Sequence, residues 1–290
     1  MIKIFNFKIV KSGKEIEVYH YLTKNVVRGY KRKERKINKT KKEKKNNLSY
    51  GTWSIDEIVV ELDRQEEAKK AEEKQKTEFS VQRTKKSIKR LANANQQLDK
   101  FLTLTFAEST TDLKEANKLF HLAMKRIMHK HKDFAYIAVV EYQKDVDYYG
   151  RKKEKGGSVH YHLLCNIKTI IKRDRFEWER WFKNRYWKYG FVKVKDITTV
   201  NNMGSYLCKY LSKEMFDKRM FNKKKFFCSK NLHQPQEIIG AKAEIFFEKF
   251  VKHLTPKFES VNENEWAGKV KYSLYTLEHD LIIKPQSDNI

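Results

Sequence analysis

Residues 134–167 read FAYIAVVEYQKDVDYYGRKKEKGGSVHYHLLCNI, and this stretch decides the fold. It contains an apolar, β-branched segment (134–142), a polar connection that ends in two glycines, and a second largely apolar segment (158–167). This pattern predicts two antiparallel strands joined by a hairpin. On the second strand His160 and His162 share one face, about 6–7 Å apart along the chain.

Strand and helix patterns alternate on both sides of this hairpin. The sequence predicts a strand over 101–106, a helix over 111–131, a helix over 173–188, a strand over 190–194 and a helix over 201–213. The order β-α-β-β-α-β-α predicts an α+β fold, a ferredoxin-like antiparallel sheet with helices on one side.

Composition divides the chain into four segments. We expect an N-terminal hairpin and basic arm (1–50), a charged segment of one long helix or two (51–100), a core of alternating strands and helices (101–215), and a C-terminal basic accessory region (216–290). The arm contains RGYKRKERKINKTKKEKKNN (28–47), which is either solvated or in contact with phosphates. In the last segment, 241–254 is predicted to be a helix and 270–275 a strand.

The charge balance indicates a polyanionic partner. The chain has 290 residues, with 63 Lys and Arg against 37 Asp and Glu, a formal net charge of +26. Nucleic acid is the commonest partner of such a protein, and a lysine-rich composition without functional meaning is the alternative. The three cysteines form no CxxC pair, which argues against a disulfide framework or a zinc site and fits a reducing cytoplasm. We expect no membrane span and, without a P-loop motif, no motor.

His160 and His162 are candidate ligands of a divalent cation because alternation on a strand lets two imidazoles converge. Two surface histidines on an amphipathic strand are the alternative. His129 and His131 have the same spacing on a predicted helix end, where they would point about 200° apart and could not share a metal. Strand context, rather than spacing, therefore makes the first pair a candidate.

A hard cation usually needs an oxygen ligand as well. Glu141 is the best candidate because it ends the strand that should pair with the histidine strand. Asp145, Asp147 and Glu154 in the hairpin connection are weaker candidates.

A second set of candidate residues lies in the segment YLCKYLSK (206–213). At helical spacing Tyr206, Lys209, Tyr210 and Lys213 lie on one face, and an apolar stripe beside them can dock the helix. A tyrosine attacks a phosphodiester only if nearby positive charge offsets its high pKa, and the two lysines could supply that charge. Ordinary amphipathic packing of the tyrosines is the alternative.

Three ordered motifs resemble the HUH endonuclease superfamily, specifically the replication initiators of rolling-circle phages and plasmids. FLTLTF (101–106) resembles the first motif strand, His160-Tyr161-His162 matches the histidine–hydrophobic–histidine motif, and Tyr206 with Tyr210 resembles the paired-tyrosine helix. The resemblance covers roughly residues 93–213.

The resemblance implies an enzyme that nicks single-stranded origin DNA. It implies Mg²⁺ or Mn²⁺ at His160 and His162, with Glu141 in the place of the acidic third ligand. It also implies a 5′-phosphotyrosine intermediate, a free 3′-OH that primes replication, later strand rejoining, and a host helicase as partner.

Two other functions remain open at this point. A mobilisation relaxase or a paired-tyrosine transposase would use the same core and the same chemistry. A non-catalytic nucleic-acid-binding module, perhaps for RNA, would share the βαββαβ order but would carry aromatic residues on the sheet where His160 and His162 stand. Candidate base-stacking residues are Trp178, Trp181, Tyr186 and Trp187, and we expect at least two of these to be core.

Overall fold

The computed structural model describes residues 2–29, 55–146, 149–154, 156–168, 174–200, 202–211, 223–224 and 226–277. Its helices are α1 (Ile55–Asn93), α2 (Leu113–Lys130), α3 (Arg175–Arg185), α4 (Met203–Cys208) and α5 (Ala241–Phe250), and a 3₁₀ turn, Lys209–Leu211, follows α4. Its strands are β1 (Lys3–Phe5), β2 (Phe7–Ser12), β3 (Glu15–Tyr21), β4 (Val26–Arg28), β5 (Lys100–Phe106), β6 (Tyr136–Tyr142), β7 (Val159–Cys165), β8 (Gly190–Asp196), β9 (Phe226–Cys228), β10 (Gln236–Ile239), β11 (Phe258–Asn264) and β12 (Gly268–Thr276). No helix within these ranges is long and apolar enough to cross a membrane.

The α+β fold predicted from the sequence is confirmed. Strands β8, β5, β7, β6 and β9 form one antiparallel sheet in that order, which we call the site sheet. Without β9, the order is that of a ferredoxin-like sheet, in which α2 and α3 provide the crossovers. The fifth strand extends the sheet beyond residue 215, the limit that the sequence had indicated for the core.

The site sheet is covered on both faces, which differs from the expectation of helices on one side. Helices α2 and α3 pack on one face, over β-strand residues such as Leu102, Tyr161 and Val192. The C-terminal part of α1 and helix α4 pack on the other face, over Phe101 and Leu164. The reason is that the central strands are apolar on both faces, so both must be removed from water.

A second antiparallel sheet, which we call the accessory sheet, combines the two ends of the described chain. Its strand order is β10-β2-β3-β12-β11, and α5 packs against it. The predicted hairpin, helix 241–254 and strand 270–275 are therefore all present, but in one sheet instead of two separate segments. Strands β1 and β4 form a small ribbon beside it.

Helix α1 joins the two sheets. It is a single helix of 39 residues, and its first buried residue among the described side chains is Val81. Near its end, a Cβ on Gly13 would lie 2.2 Å from the carbonyl oxygen of Asn93, and Gly13 also has a positive φ of 59°. A glycine in the β2–β3 turn therefore allows the accessory sheet to approach the end of α1 closely. Most of the basic arm lies outside the described residues.

Candidate active site

The register of the site sheet brings Glu141 and the two histidines together. Glu141 on β6 lies opposite His160 on β7, as the hairpin pattern predicts. His160 in turn lies opposite Thr105 on β5, and His162 lies opposite Thr103. These side chains share the face that α1 and α4 partly cover.

Both ring nitrogens of His162 have partners. Its Nε2 is hydrogen-bonded to the Glu141 carboxylate, and its Nδ1 lies 3.1 Å from the Thr103 hydroxyl. The histidine is 4% exposed, so these two contacts fix the orientation of its ring. Thr103 was not singled out from the sequence, where only its alternation with the apolar residues of FLTLTF could have indicated that it faces the histidines.

His160, on the same face of the sheet, has one ring nitrogen without a hydrogen-bond partner among the described residues. This nitrogen, Nε2, is buried. Burial lowers the pKa of His160 to about 4, and the nearby His162 ring contributes in the same direction. His160 is therefore neutral at physiological pH, the protonation state in which imidazole binds a metal ion.

This donor set fits a divalent cation. An unpartnered buried imidazole nitrogen is costly unless something binds it, and a second imidazole and a carboxylate stand beside it. Here His162 and Glu141 are bonded to each other, and within the described ranges no three His, Cys, Asp or Glu side chains form a ready-made metal site. A bound cation would thus take the place of the His162–Glu141 hydrogen bond.

The weaker ligand candidates are placed differently. The Asp145 carboxylate accepts a hydrogen bond of 2.7 Å from the backbone of Gly157, so it stabilises the base of the hairpin. Glu154 is exposed in the connection, and Asp147 lies outside the described residues. Neither Asp145 nor Glu154 adds to the case for a ligand beyond Glu141.

The tyrosine segment is shorter as an α-helix than predicted. Helix α4 ends at Cys208, and Tyr210 belongs to the 3₁₀ turn that follows. Asn202 caps the helix by accepting a hydrogen bond of 2.7 Å from the Ser205 backbone. A Cβ on Gly204 would lie 2.6 Å from the Lys89 Cα atom, so a glycine is required where α4 crosses α1. These contacts fix the segment over the site sheet.

The two tyrosines reach the histidines. The Tyr210 ring stacks on His162 with ring centroids 4.0 Å apart, and the Tyr206 and Tyr210 centroids are 6.1 Å apart. The buried ring of Phe101 contacts Tyr206, Tyr210 and His162 at centroid distances of 5.0, 5.2 and 5.7 Å. Residues far apart in sequence thus form one continuous cluster.

Positive charge is concentrated at Tyr206. The ammonium groups of Lys209 and Lys195 each lie 5.4 Å from its ring centroid. Lys195 was missed in the sequence because it belongs to β8, which contacts this face only through the fold. Lys213, the other predicted lysine, lies outside the described residues.

Tyr210 is in a different electrostatic environment. Burial raises the pKa of its hydroxyl to about 12, and the hydrogen bond to Tyr206 and the charge of Glu141 act in the same direction. The two tyrosines are therefore not equivalent in this structure.

The accessory sheet contacts the start of the tyrosine helix. The side-chain amide of Asn202 donates a hydrogen bond of 3.0 Å to one oxygen of Glu15, and Asn93 donates one of 2.6 Å to the other. Glu15 thereby links the cap of α4 to the end of α1. Sequence reasoning missed this link, since these three residues are distant from one another in the chain.

The aromatic residues proposed for base stacking lie elsewhere. Trp178, Tyr186 and Trp187 are buried under the opposite face of the site sheet, and Trp181 is half-buried there. The expectation that at least two are core is confirmed. An exposed aromatic ring does lie on the histidine face: Phe191 is 60% exposed and pairs with Thr105 in the same cross-strand row as His160.

The second histidine pair, His129 and His131, is arranged differently from His160 and His162, as expected. His129 lies in the last turn of α2, whereas His131 caps that helix and its Nε2 lies 2.9 Å from the Tyr186 hydroxyl. Tyr186 belongs to the opposite face of the sheet, so this pair is remote from the tyrosine cluster.

The region that carries the candidate site is similar to known proteins. The profile of a family of replication-associated proteins, the ORF2 type, matches residues 99–215. The phasyl DNA replicon protein arp of Escherichia coli is 33% identical to the chain over 134 residues, which cover 39% of this chain and 42% of that protein. The chain thus aligns with less than half the length of this relative. No solved structure matches the chain. Residues 99–215 contain every predicted site residue, so the similarity covers the whole candidate site.

Proposed function

We propose that this protein is a replication initiator that nicks single-stranded origin DNA by metal-dependent tyrosine transesterification. The observation that carries the proposal is the stacking of Tyr210 on His162 within a cluster that also contains Glu141, His160 and Tyr206. A carboxylate and two imidazoles suit a cation, and adjacent phenols suit attack on phosphorus. The similarity to replication-associated proteins over residues 99–215 supports the same function.

In the first step the Tyr206 oxygen attacks the scissile phosphorus. A new phosphodiester bond forms between tyrosine and the 5′ end, the bond to the 3′-oxygen breaks, the phenolic proton leaves to solvent, and the 3′-oxygen takes up a proton. One phosphodiester replaces another, so no external energy source is needed. A free 3′-OH remains to prime synthesis.

Tyr206 is the better first nucleophile because of its charged neighbours. Lys195 and Lys209 flank its ring, and their charge would stabilise the additional negative charge of the transition state. Tyr210 is available for a second transesterification that rejoins the strands, because the two rings are adjacent.

His160, His162 and Glu141 would hold Mg²⁺ or Mn²⁺. When bound, such an ion supplies positive charge that polarises the scissile phosphate. Thr103 orients His162 from behind, as partners of ligating histidines commonly do. The substrate strand would cross β8, where Phe191, Lys193 and Lys195 are exposed on the histidine face. The helicase that such an initiator requires would be supplied by the host.

A covalent-adduct assay tests this function. Labelled single-stranded oligonucleotides that tile the DNA flanking the gene are incubated with the protein and Mn²⁺, and denaturing gels detect a protein–DNA band. We expect one oligonucleotide to give an adduct that is lost in the Tyr206→Phe/Tyr210→Phe double variant.

Tyr149→Phe is the matched control, since Tyr149 is 78% exposed and lies in the hairpin connection. It should leave the adduct unchanged. Absence of an adduct with every oligonucleotide, or an undiminished adduct in the double variant, would contradict the proposal.

A further inference from the structure

A basic groove lies between α1 and the accessory sheet, outside the tyrosine cluster. We call it the α1 groove; its volume is about 1110 Å³, and its lining includes Phe79, Arg83, Lys86, Lys89, Trp266 and Tyr272. It is larger than the roughly 300–1000 Å³ typical of small-molecule sites. Its size leaves room for an extended ligand.

The groove has surplus positive charge. Lys86 and Arg90 share the Glu17 carboxylate, at 3.5 and 2.7 Å. Arg83, Lys85 and Lys89 also line the groove, which therefore holds five basic side chains against the two carboxylates of Glu15 and Glu17. This excess of positive charge favours a polyanion, whose phosphates can act as partners of the basic side chains.

Two large aromatic rings in the groove are unusually exposed. Trp266, in the turn between β11 and β12, is 73% exposed, and Phe79 on α1 is 61% exposed. Aromatic rings beside basic side chains are the combination by which proteins bind single-stranded nucleic acid, since unpaired bases stack on the rings. A paired duplex would offer these rings no free base face.

The groove leads to the nucleophile. Asn202 and Ser205, the cap and a first-turn residue of α4, also line it, and Ser205 directly precedes Tyr206 in the chain. A strand that lies in the groove would therefore reach the site sheet beside the first proposed nucleophile.

We propose that the α1 groove binds the single-stranded DNA that flanks the scissile phosphate, with bases stacked on Trp266 and Phe79 and phosphates held by Arg83 and Lys89. The direction of the strand rests on the proposed nicking function. Binding in the groove does not, because it needs neither metal nor tyrosine.

Fluorescence anisotropy tests the groove in the full chain without metal. The probes are a labelled 30-nucleotide oligo-dT and a labelled duplex of the same length. Phe79→Ala/Trp266→Ala should weaken oligo-dT binding about 10-fold, the loss expected for one or two stacking contacts, and should leave duplex binding unchanged. Phe176→Ala is the matched control, because Phe176 is also 61% exposed but lies on α3, outside the groove.

The charge contribution has its own measurement. Arg83→Ala/Lys89→Ala should reduce the slope of log affinity against log salt by about 1.4, which corresponds to two lost phosphate contacts on a single strand. Lys69→Ala/Lys74→Ala removes two exposed lysines of the same helix outside the groove and should change the slope less. Thermal unfolding of each variant identifies any loss of folding.

The outcomes separate this inference from the proposed function. If the aromatic double variant binds oligo-dT like wild type, or loses duplex and oligo-dT binding equally, the proposal that the groove binds single-stranded DNA is wrong. Retained groove binding in a protein that forms no adduct would support the groove while refuting the nickase. Normal adduct formation with groove variants on a short oligonucleotide, but a raised KM on a long one, would support both.

Discussion

The two sheets are both five-stranded and antiparallel, but they are assembled from different parts of the chain. The site sheet uses strands between residues 100 and 228, whereas the accessory sheet joins strands from residues 7–21 to strands from residues 236–276. The proposed ligands Glu141, His160 and His162 lie on the site sheet, and the proposed nucleophiles Tyr206 and Tyr210 lie above it. The accessory sheet contributes contacts at the edge of that site, through Glu15 and through the α1 groove. Under the proposed function, the site sheet would therefore carry the chemistry and the accessory sheet would support it.

The largest expected effect comes from the histidines of the site sheet. His160→Ala/His162→Ala removes two of the three proposed ligands, so Mn²⁺-dependent adduct formation should fall to background. His129→Ala/His131→Ala has the same spacing at the end of α2 and should retain activity. The adduct assay across a Mn²⁺ titration measures both, and equal losses in the two pairs would show that the spacing on β7 has no special role.

The next effect concerns the stability of the accessory sheet. Glu17 is nearly buried and is bonded to Arg90 by two hydrogen bonds of 2.7 and 2.8 Å. Arg90→Met removes both of these hydrogen bonds from a nearly buried carboxylate and leaves it only Lys86 and the Tyr19 hydroxyl, which should cost roughly 3 kcal/mol in the free energy of unfolding. Arg175→Met breaks a more exposed pair on α3 and should cost less than about 1 kcal/mol. Urea unfolding at pH 7 compares the two.

The same ion pair predicts an acid dependence. Burial alone would raise the pKa of Glu17, but the hydrogen bond and charge of Arg90 outweigh it and leave that pKa below 4.5. The pair therefore stabilises the fold above pH 4.5, and this contribution is lost as the pH falls through the lower, folded value. Glu17→Gln should show a smaller loss of stability than wild type in that acid range.

The smallest effect concerns the cap of the tyrosine helix. Asn202→Ala removes the acceptor for the Ser205 backbone and should cost about 1 kcal/mol in helix stability, so adduct formation should be slowed by at most roughly fivefold. Asn202→Ser retains a capping oxygen but loses the hydrogen bond to Glu15. If Ser rescues the rate, the cap is what matters. If Ser is as slow as Ala, the accessory sheet positions the helix through Glu15.

The site sheet was largely predictable from sequence because its signals are local. The alternation of apolar residues around His160 and His162 defines a strand face, and the hairpin fixes Glu141 opposite His160. Contacts between strands that are far apart in the chain could not be predicted from the sequence. Lys195 and Thr103 reach the site through pairings across β5, which no local pattern encodes.

The accessory sheet shows the same limit on a larger scale. Individual strands and helix α5 were predictable, but nothing in residues 15–21 indicates that their partner is residues 270–276. The aromatic residues of α3 illustrate a related difficulty. Trp178 and Trp181 are one turn apart on the same helix, and only the packed structure distinguishes the fully buried ring from the half-buried one.

Phe101 contributes both to the packing of the core and to the arrangement of the candidate site, so a substitution there changes both. Its ring is part of the buried cluster under α1 and α4, and it also contacts His162, Tyr206 and Tyr210. A smaller side chain would loosen the core and the reacting groups together, and a larger one would displace both. Variation that alters the proposed nicking without loss of folding is therefore expected at the exposed rim, at positions such as Phe191 or Lys193, rather than at this ring.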